Sequence, residues 1–250
     1  MAARPVTTTT FRPEVVEWLV PHSRSLVLDL GSGTGNFARA LHARGDQVFG
    51  LDANPGRVRR LAAHVPTGRH VAGHAESLPF ATRSFETVTA ISTLHLFAPG
   101  LLFSEVARVL KPGGHFGVSY TVRDDTVPWV KRFATLVRSL DDTAMRGNFG
   151  QDSVQSLRDS PYFLDVTERS FRTWVAVSRE QLIAMVVSRP AIAGTPRETE
   201  AAEAVGAVYD EVARAPEPLQ LPYRTICWRA QVDPAQQPAS DDSEVLHFRL

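Results

Sequence analysis

The chain has 250 residues, enough for one large α/β domain or for one domain with a cap, and its 43% hydrophobic and 22% charged content is ordinary for a globular protein. Twenty-seven basic residues balance twenty-seven acidic ones, so nucleic-acid binding driven by overall charge is not indicated. The single cysteine, Cys227, excludes an internal disulfide and a cysteine-based metal site. No stretch approaches the length of a membrane-spanning helix, and the N-terminal MAARPVTTTTFRPE lacks the apolar core of a secretion signal. A cytoplasmic location without membrane attachment is expected.

The first half alternates strand-like and helix-like patterns, which predicts a parallel α/β sheet. A short helix is expected over 13–20, stopped by Pro21. Ser25 to Leu30 (SLVLDL) is an apolar run suited to a buried parallel strand. Gly31 to Gly35 make a glycine-rich turn, and a helix over 36–44 is closed by Gly45. A second strand covers 47–51. Asn54-Pro55 is an N-cap followed by proline at the first helical position, and that helix runs to His64. Strands are predicted at 69–72 and 85–91, with a loop over 73–82 between them. A helix over 100–110 precedes a tight turn at Lys111 to Gly114 and a fifth strand at 115–120.

The second half is less regular. Helices are predicted over 127–140 and 151–158, and a strand within 163–177. Ser178-Arg179-Glu180-Gln181 is a capping box that starts a helix to Arg189. Thr195-Pro196-Arg197-Glu198 reads as a second capping box, starting a helix to Arg214. Leu221 to Ala230 is a last strand that completes the sheet. Residues 232–243 are rich in Pro, Gln, Ser and Asp and are expected to be a flexible tail.

The strongest chemical signal is Val27-Leu28-Asp29-Leu30-Gly31-Ser32-Gly33-Thr34-Gly35. A strand enters a turn whose glycines allow positive φ and leave no Cβ in a ligand's way, and the following helix starts with free N–H groups. The third glycine comes one position earlier than in the dinucleotide pattern. Asp29 disfavours a pyrophosphate but can accept from an ammonium. Asp52, at the end of strand two, can accept from both hydroxyls of a ribose. The backbone of Gly73-His74-Ala75-Glu76-Ser77-Leu78-Pro79-Phe80 can read an adenine edge, with Glu76 near its amine. His95 falls just past strand four, where open α/β sheets place ligands, and a neutral imidazole there can take a proton from a hydroxyl. A structural histidine bonded to backbone explains it equally well. No H-x-x-x-H or H-x-H pair suggests a metal, and none is expected. Tyr120 ends strand five and faces the same region. Trp129, Phe133, Phe149, Trp174 and Trp228 are candidates for an apolar wall, though ordinary core positions suit most of them. Asp124 and Asp125 suit a polar acceptor or a solvated loop.

VLDLGSGTG, the acid ending strand two, HAESLPF, SFETVTA, STLHLF and VLKPGG occur together in the order and spacing of class I S-adenosylmethionine-dependent methyltransferases. Over residues 11–122 the chain resembles the large group that includes the ubiquinone-type and trans-aconitate-type enzymes. Arg123-Asp124-Asp125-Thr126-Val127-Pro128-Trp129-Val130 and Leu221-Pro222-Tyr223-Arg224-Thr225 resemble one subgroup more loosely. The resemblance implies a Rossmann-like sheet of order 3-2-1-4-5-7-6 with strand seven antiparallel and a helical lid after strand five. It implies a cofactor core over 1–122, a lid with sheet-completing elements over 123–231, and a flexible tail over 232–250.

The resemblance also implies cofactor contacts at Arg12, Asp29, Gly31, Ser32, Gly33, Asp52, Ala53, Ala75, Glu76 and Ser92. Arg12 falls near the cofactor carboxylate, Asp29 near its amino group and Ser92 near its methionine part. An acceptor pocket would use His95, Tyr120, Trp129 and Trp174, with His95 as the base. Two departures bear on specificity. His74 stands where many relatives have Asp, and His95-Leu96-Phe97 replaces a common His-Trp-Phe.

The expected activity is methyl transfer from S-adenosylmethionine to a small molecule, at oxygen, with carbon and nitrogen acceptors as alternatives. No nucleic-acid partner is expected. The early third glycine, Asp29 and the LKPGG turn speak against a nicotinamide-dependent oxidoreductase. Intact cofactor motifs speak against a non-catalytic binding protein. An N-P-P-Y-like tetrapeptide, the mark of many nucleic-acid methyltransferases, is absent from its position, where Ser92-Thr93-Leu94-His95 stands.

Overall fold

A computed structural model describes residues 11–144, 150–213 and 218–238. The elements in chain order are α1 (Pro13–Leu19), β1 (Leu26–Leu30), α2 (Asn36–Ala43), β2 (Gln47–Asp52), α3 (Pro55–His64), β3 (Arg69–Ala72), β4 (Phe85–Ile91), α4 (Pro99–Val109) and β5 (Leu110–Arg123). They continue with α5 (Pro128–Leu140), α6 (Gln151–Arg158), β6 (Phe163–Val177), α7 (Arg179–Val187), α8 (Arg197–Val212) and β7 (Leu219–Val232). Short 3-10 turns follow β4 at Leu94–Leu96 and β7 at Pro234–Gln236. No helix among the described residues is long and apolar enough to cross a membrane.

The strands form one seven-stranded sheet in the expected order, β3-β2-β1-β4-β5-β7-β6. β1 pairs in parallel with β2 and β4, β2 with β3, and β4 with β5. The apolar run of β1 is explained by this central place: Val27, Leu28 and Leu30 are fully buried on both faces. β3 closes one edge and has no fully buried residue. The last two pairings are antiparallel. Along β5 and β7, Thr121 meets Thr225 and Asp124 N–H donates to Pro222 C=O, so partner numbers fall as chain numbers rise. Along β6 and β7, Asp233 N–H donates to Tyr162 C=O and Thr167 Oγ1 to Arg229 C=O, with the same sense.

The described residues divide into two compact units. The first holds 11–120, 150–169 and 226–238; the second holds 121–144, 170–213 and 218–225. In the first, Leu28, Leu30, Val88, Ala90, Phe116 and Val118 form a buried sheet interior. In the second, α5 contributes Val130, Phe133 and Val137, α7 contributes Leu182 and Val186, and α8 contributes Ala201, Val205 and Tyr209 to one apolar cluster.

Local signals set most boundaries. Asn54 Oδ1 accepts from Gly56 N–H at 2.8 Å and caps α3 ahead of Pro55. The Ser178 box forms as expected, with Ser178 Oγ accepting from Gln181 N–H and Gln181 Oε1 accepting from Ser178 N–H.

Three expectations need correction. The Thr195 box does not form. Its hydroxyl donates to Ile192 C=O at 2.7 Å, and Pro196 precedes the helix without a side-chain cap. The LKPGG segment lies inside β5, because Leu110 pairs with Phe85 through an irregularity in the ladder. The segment 232–238 is not a tail. Val232 ends β7, and Gln237 Nε2 donates to Ala107 C=O and Leu110 C=O, each at 2.7 Å. Composition missed this because the fixing bonds come from residues more than a hundred positions away. The rest of the expected tail, 239–250, lies outside the described residues.

Candidate functional site

The carboxyl ends of β1 to β4, all in the first unit, surround a cavity of about 170 Å³. Gly31, Asp52, Ala53, Ala75 and Glu76 line it, together with Arg57, His74, Thr93 and Leu96. Five of the ten residues that the resemblance implies for the cofactor thus meet in one concavity, although they come from three separate loops.

The glycine turn is built as the sequence required. Gly31 has φ of +64° and Gly33 of +56°. A Cβ on Gly31 would lie 2.8 Å from Thr93 Cγ2, so the turn and the loop after β4 touch without room for a side chain. Thr93 Oγ1 locks that contact by donating to Leu30 C=O at 3.0 Å. Ser92 has φ of +58°, which is rare for a residue with a Cβ and persists only where the surrounding structure holds it. Its N–H donates to Ser119 C=O at 2.7 Å.

Asp52 is buried and ties the turn together. Its Oδ2 accepts from Gly33 N–H at 3.1 Å and its Oδ1 from Asn54 N–H at 2.8 Å. Arg57 Nη1 stands 3.7 Å from Oδ2. A carboxylate has about four acceptor positions, so lone pairs remain toward the cavity. Asp29 is buried within β1 and accepts from Thr89 Oγ1 at 2.9 Å. Burial pushes its pKa up to about 7, Thr89 opposes this, and the nearby Asp52 charge adds to it. Ser32 Oγ is buried without a partner among the described residues.

This donor and acceptor set fits an S-adenosyl ligand. A cation near Asp29 would restore its ionised form, and paired hydroxyls match the open lone pairs of Asp52.

Ala75 is buried and lines the cavity. Glu76 also lines it, but its Oε1 accepts from Ala98 N–H at 3.0 Å, which ties the loop to the start of α4. Arg12 is exposed and pairs with Glu14 through Nε and Nη2. Thr93, Leu96, Phe97 and Arg57 were not anticipated in the cavity; the STLHLF segment contained the first three.

His95 sits in the 3-10 turn after β4. The fully buried Tyr120 places its hydroxyl where it accepts from His95 N–H at 3.0 Å and lies 3.4 Å from Nδ1. With the imidazole proton on Nδ1, Nε2 keeps the lone pair that a base requires. Partial burial lowers the His95 pKa, and burial raises that of Tyr120. The neutral imidazole is therefore favoured.

None of the remaining aromatic candidates lines the cavity. Trp129 packs on the apolar cluster of the second unit, where Phe133 is fully buried. Trp174 lies on β6 and is 52% exposed. Trp228 is buried against Tyr120 at 6.2 Å between ring centroids and donates to Glu168. Phe149 lies outside the described residues. Asp124 is fully buried and is held by Arg172 Nε at 2.6 Å and Thr126 Oγ1 at 2.7 Å, so its carboxylate is closed to solvent. Among the described residues no group of three or more His, Cys, Asp and Glu could hold a metal ion.

Residues 28–118 match the family model described as a methyltransferase domain. An uncharacterized methyltransferase of Mycobacterium tuberculosis is 30% identical over 227 residues, covering 88% of this chain and 89% of the relative. An uncharacterized methyltransferase-like protein of Schizosaccharomyces pombe is 26% identical over 240 residues, covering 90% and 92%. The solved structure of a putative type II methyltransferase from Anaeromyxobacter dehalogenans superposes with a TM-score of 0.68 at 18% identity, covering 95% of this chain and all of that one.

Proposed function

This chain belongs to the class I S-adenosylmethionine-dependent methyltransferases, and we propose that it moves a methyl group to an oxygen of a small molecule, a carboxylate or a hydroxyl, by in-line displacement. The observation that carries the site assignment is the Asp52 carboxylate, bound to the glycine turn through Gly33 N–H and open to the cavity.

When bound, S-adenosylmethionine supplies a methyl group already activated on a sulfonium. The chain must then bind, orient and exclude water. Asp52 accepts from the ribose hydroxyls, and its second bond to Asn54 N–H keeps it from turning away. Asp29 accepts from the amino group, directly or through water. Gly31, Ser32 and Gly33 let the backbone approach, and Ser92 offers its carbonyl to the methionine part. Ala53, Ala75 and Glu76 frame the adenine. Arg12 faces the cofactor carboxylate once it exchanges Glu14 for that partner.

Positioning alone can lower the barrier of such a reaction by about 7–11 kcal/mol in favourable cases. A carboxylate acceptor needs no base. A hydroxyl acceptor gives its proton to His95 Nε2, and the favoured neutral state of that ring suits the task. The His95–Tyr120 pair is the observation that favours oxygen.

Calorimetric titration with S-adenosylhomocysteine, with NADH run beside it, tests the cofactor assignment. Binding of S-adenosylhomocysteine alone supports it; binding of NADH alone removes it. A screen of small acceptors with a radiolabelled methyl donor then tests the acceptor atom, and a labelled methyl ester or ether is the expected product.

A further inference from the structure

Two stretches outside the cofactor motifs, one starting at Arg123 and the other at Leu221, are brought side by side in the second unit. Asp124 N–H donates to Pro222 C=O at 2.9 Å, and the hydroxyls of Thr121 and Thr225 meet at 2.9 Å. These two pairings share one antiparallel register, and in it Arg123 stands directly opposite Tyr223. The Arg123 guanidinium lies over the ring of the fully buried Phe133, 5.2 Å from its centroid. Tyr223 packs on the same apolar cluster. Both residues are half-buried.

The charges around Arg123 do not balance. Its neighbour in sequence, Asp124, is taken by Arg172. Arg189 is paired with Asp141, and Arg138 donates to Thr135 Oγ1. Among the described residues the side chains of Arg123 and Tyr223 make no hydrogen bond and no ion pair. Burial disfavours the Arg123 cation, the Tyr223 phenol works the other way, and Arg189 and Arg138 disfavour it further. A half-buried guanidinium with cationic neighbours and no acid destabilises the fold unless an anion meets it. Its planar fork is shaped for an oxyanion, and a phenol hydroxyl beside it can add a third donor.

We propose that Arg123 and Tyr223 form an anion-binding site for a carboxylate- or phosphate-bearing ligand, taking two N–H donors from Arg123 and one O–H from Tyr223. The anion site stands on this geometry and does not rest on the reading above. Arg138 and Arg189 add attraction at longer range.

The test is a thermal-shift titration of the full chain with benzoate and, separately, with inorganic phosphate, with benzamide as the neutral control. S-adenosylhomocysteine is titrated into the same samples by calorimetry. At least one anion should give a saturable rise in Tm that benzamide does not. Benzoate alone assigns the site to a carboxylate, phosphate alone to a phosphate group. Arg123→Met should weaken the response about tenfold or more, and its unliganded Tm should be no lower than that of the parent. Tyr223→Phe should weaken it severalfold, and carries the test if Arg123→Met does not fold. The proposal is overturned if neither anion stabilises the parent, if benzamide matches benzoate, or if the variants respond as the parent does. Loss of the anion response with S-adenosylhomocysteine binding intact sinks this site alone. Failure of S-adenosylhomocysteine to bind counts against the methyltransferase reading and leaves the anion site standing.

Discussion

Gly33 N–H donates to Asp52 Oδ2 at 3.1 Å, so the carboxylate at the end of β2 also organises the glycine turn after β1. One side chain thereby couples the shape of the turn to the acceptors that face the cavity.

Asp52→Ala should therefore weaken S-adenosylhomocysteine binding by about an order of magnitude or more, because ligand hydroxyls lose their acceptor and the turn loses its tie. Asp52→Asn, which keeps one carbonyl acceptor, should lose less. Calorimetry on both variants checks this. Equal affinity in a folded Asp52→Ala protein would remove Asp52 from the site.

If Asp29 accepts from the amino group as proposed, cofactor binding should depend on pH. Its folded pKa of about 7 lies above its ordinary value of 3.8, so the folded chain holds this proton more tightly than the unfolded chain between those values. Its contribution to stability is full at low pH and is lost as pH rises through about 7. A bound ammonium favours the ionised form. S-adenosylhomocysteine affinity should thus rise with pH through this range, and binding near pH 7 should release protons, read as a buffer-dependent heat. Asp29→Asn, which keeps an acceptor for Thr89 Oγ1, should abolish both the pH dependence and the proton release. It should also leave the unliganded protein at least as stable as the parent at alkaline pH.

His95→Ala should leave S-adenosylhomocysteine affinity nearly unchanged and lower turnover on a hydroxyl acceptor about 10²-fold or more. Because burial lowers the His95 pKa, the ring stays neutral to lower pH than a free imidazole, and the acid limb of the rate profile should shift the same way. Full turnover in His95→Ala would return the ring to a structural role. Tyr120→Phe, which removes the acceptor of His95 N–H, should lower turnover less than His95→Ala does.

Gln237→Ala should lower stability by roughly 1–2 kcal/mol, since two carbonyls, Ala107 and Leu110, lose their shared donor. Denaturant unfolding measures this. No change would mean that 233–238 contributes nothing to the first unit.

The parallel half of the sheet, the glycine turn and the order of the loops that line the cavity were legible in the sequence. Each rests on local physics: apolar runs that only a two-sided strand can bury, glycines that positive φ demands, and caps such as Asn54 and Ser178 whose acceptor lies within three residues of its donor. The same locality explains the failures. Nothing near Thr195 shows that its hydroxyl turns back to Ile192, and nothing in the polar composition of 232–238 shows the carbonyls that Gln237 reaches. The fold, and not the spacing of residues, pairs Asp124 with Arg172, leaves Trp174 exposed, and sets Arg123 opposite Tyr223 with no acid between them among the described residues. Those outcomes depend on strand register and on which charges meet across the sheet, and a linear spacing does not encode either.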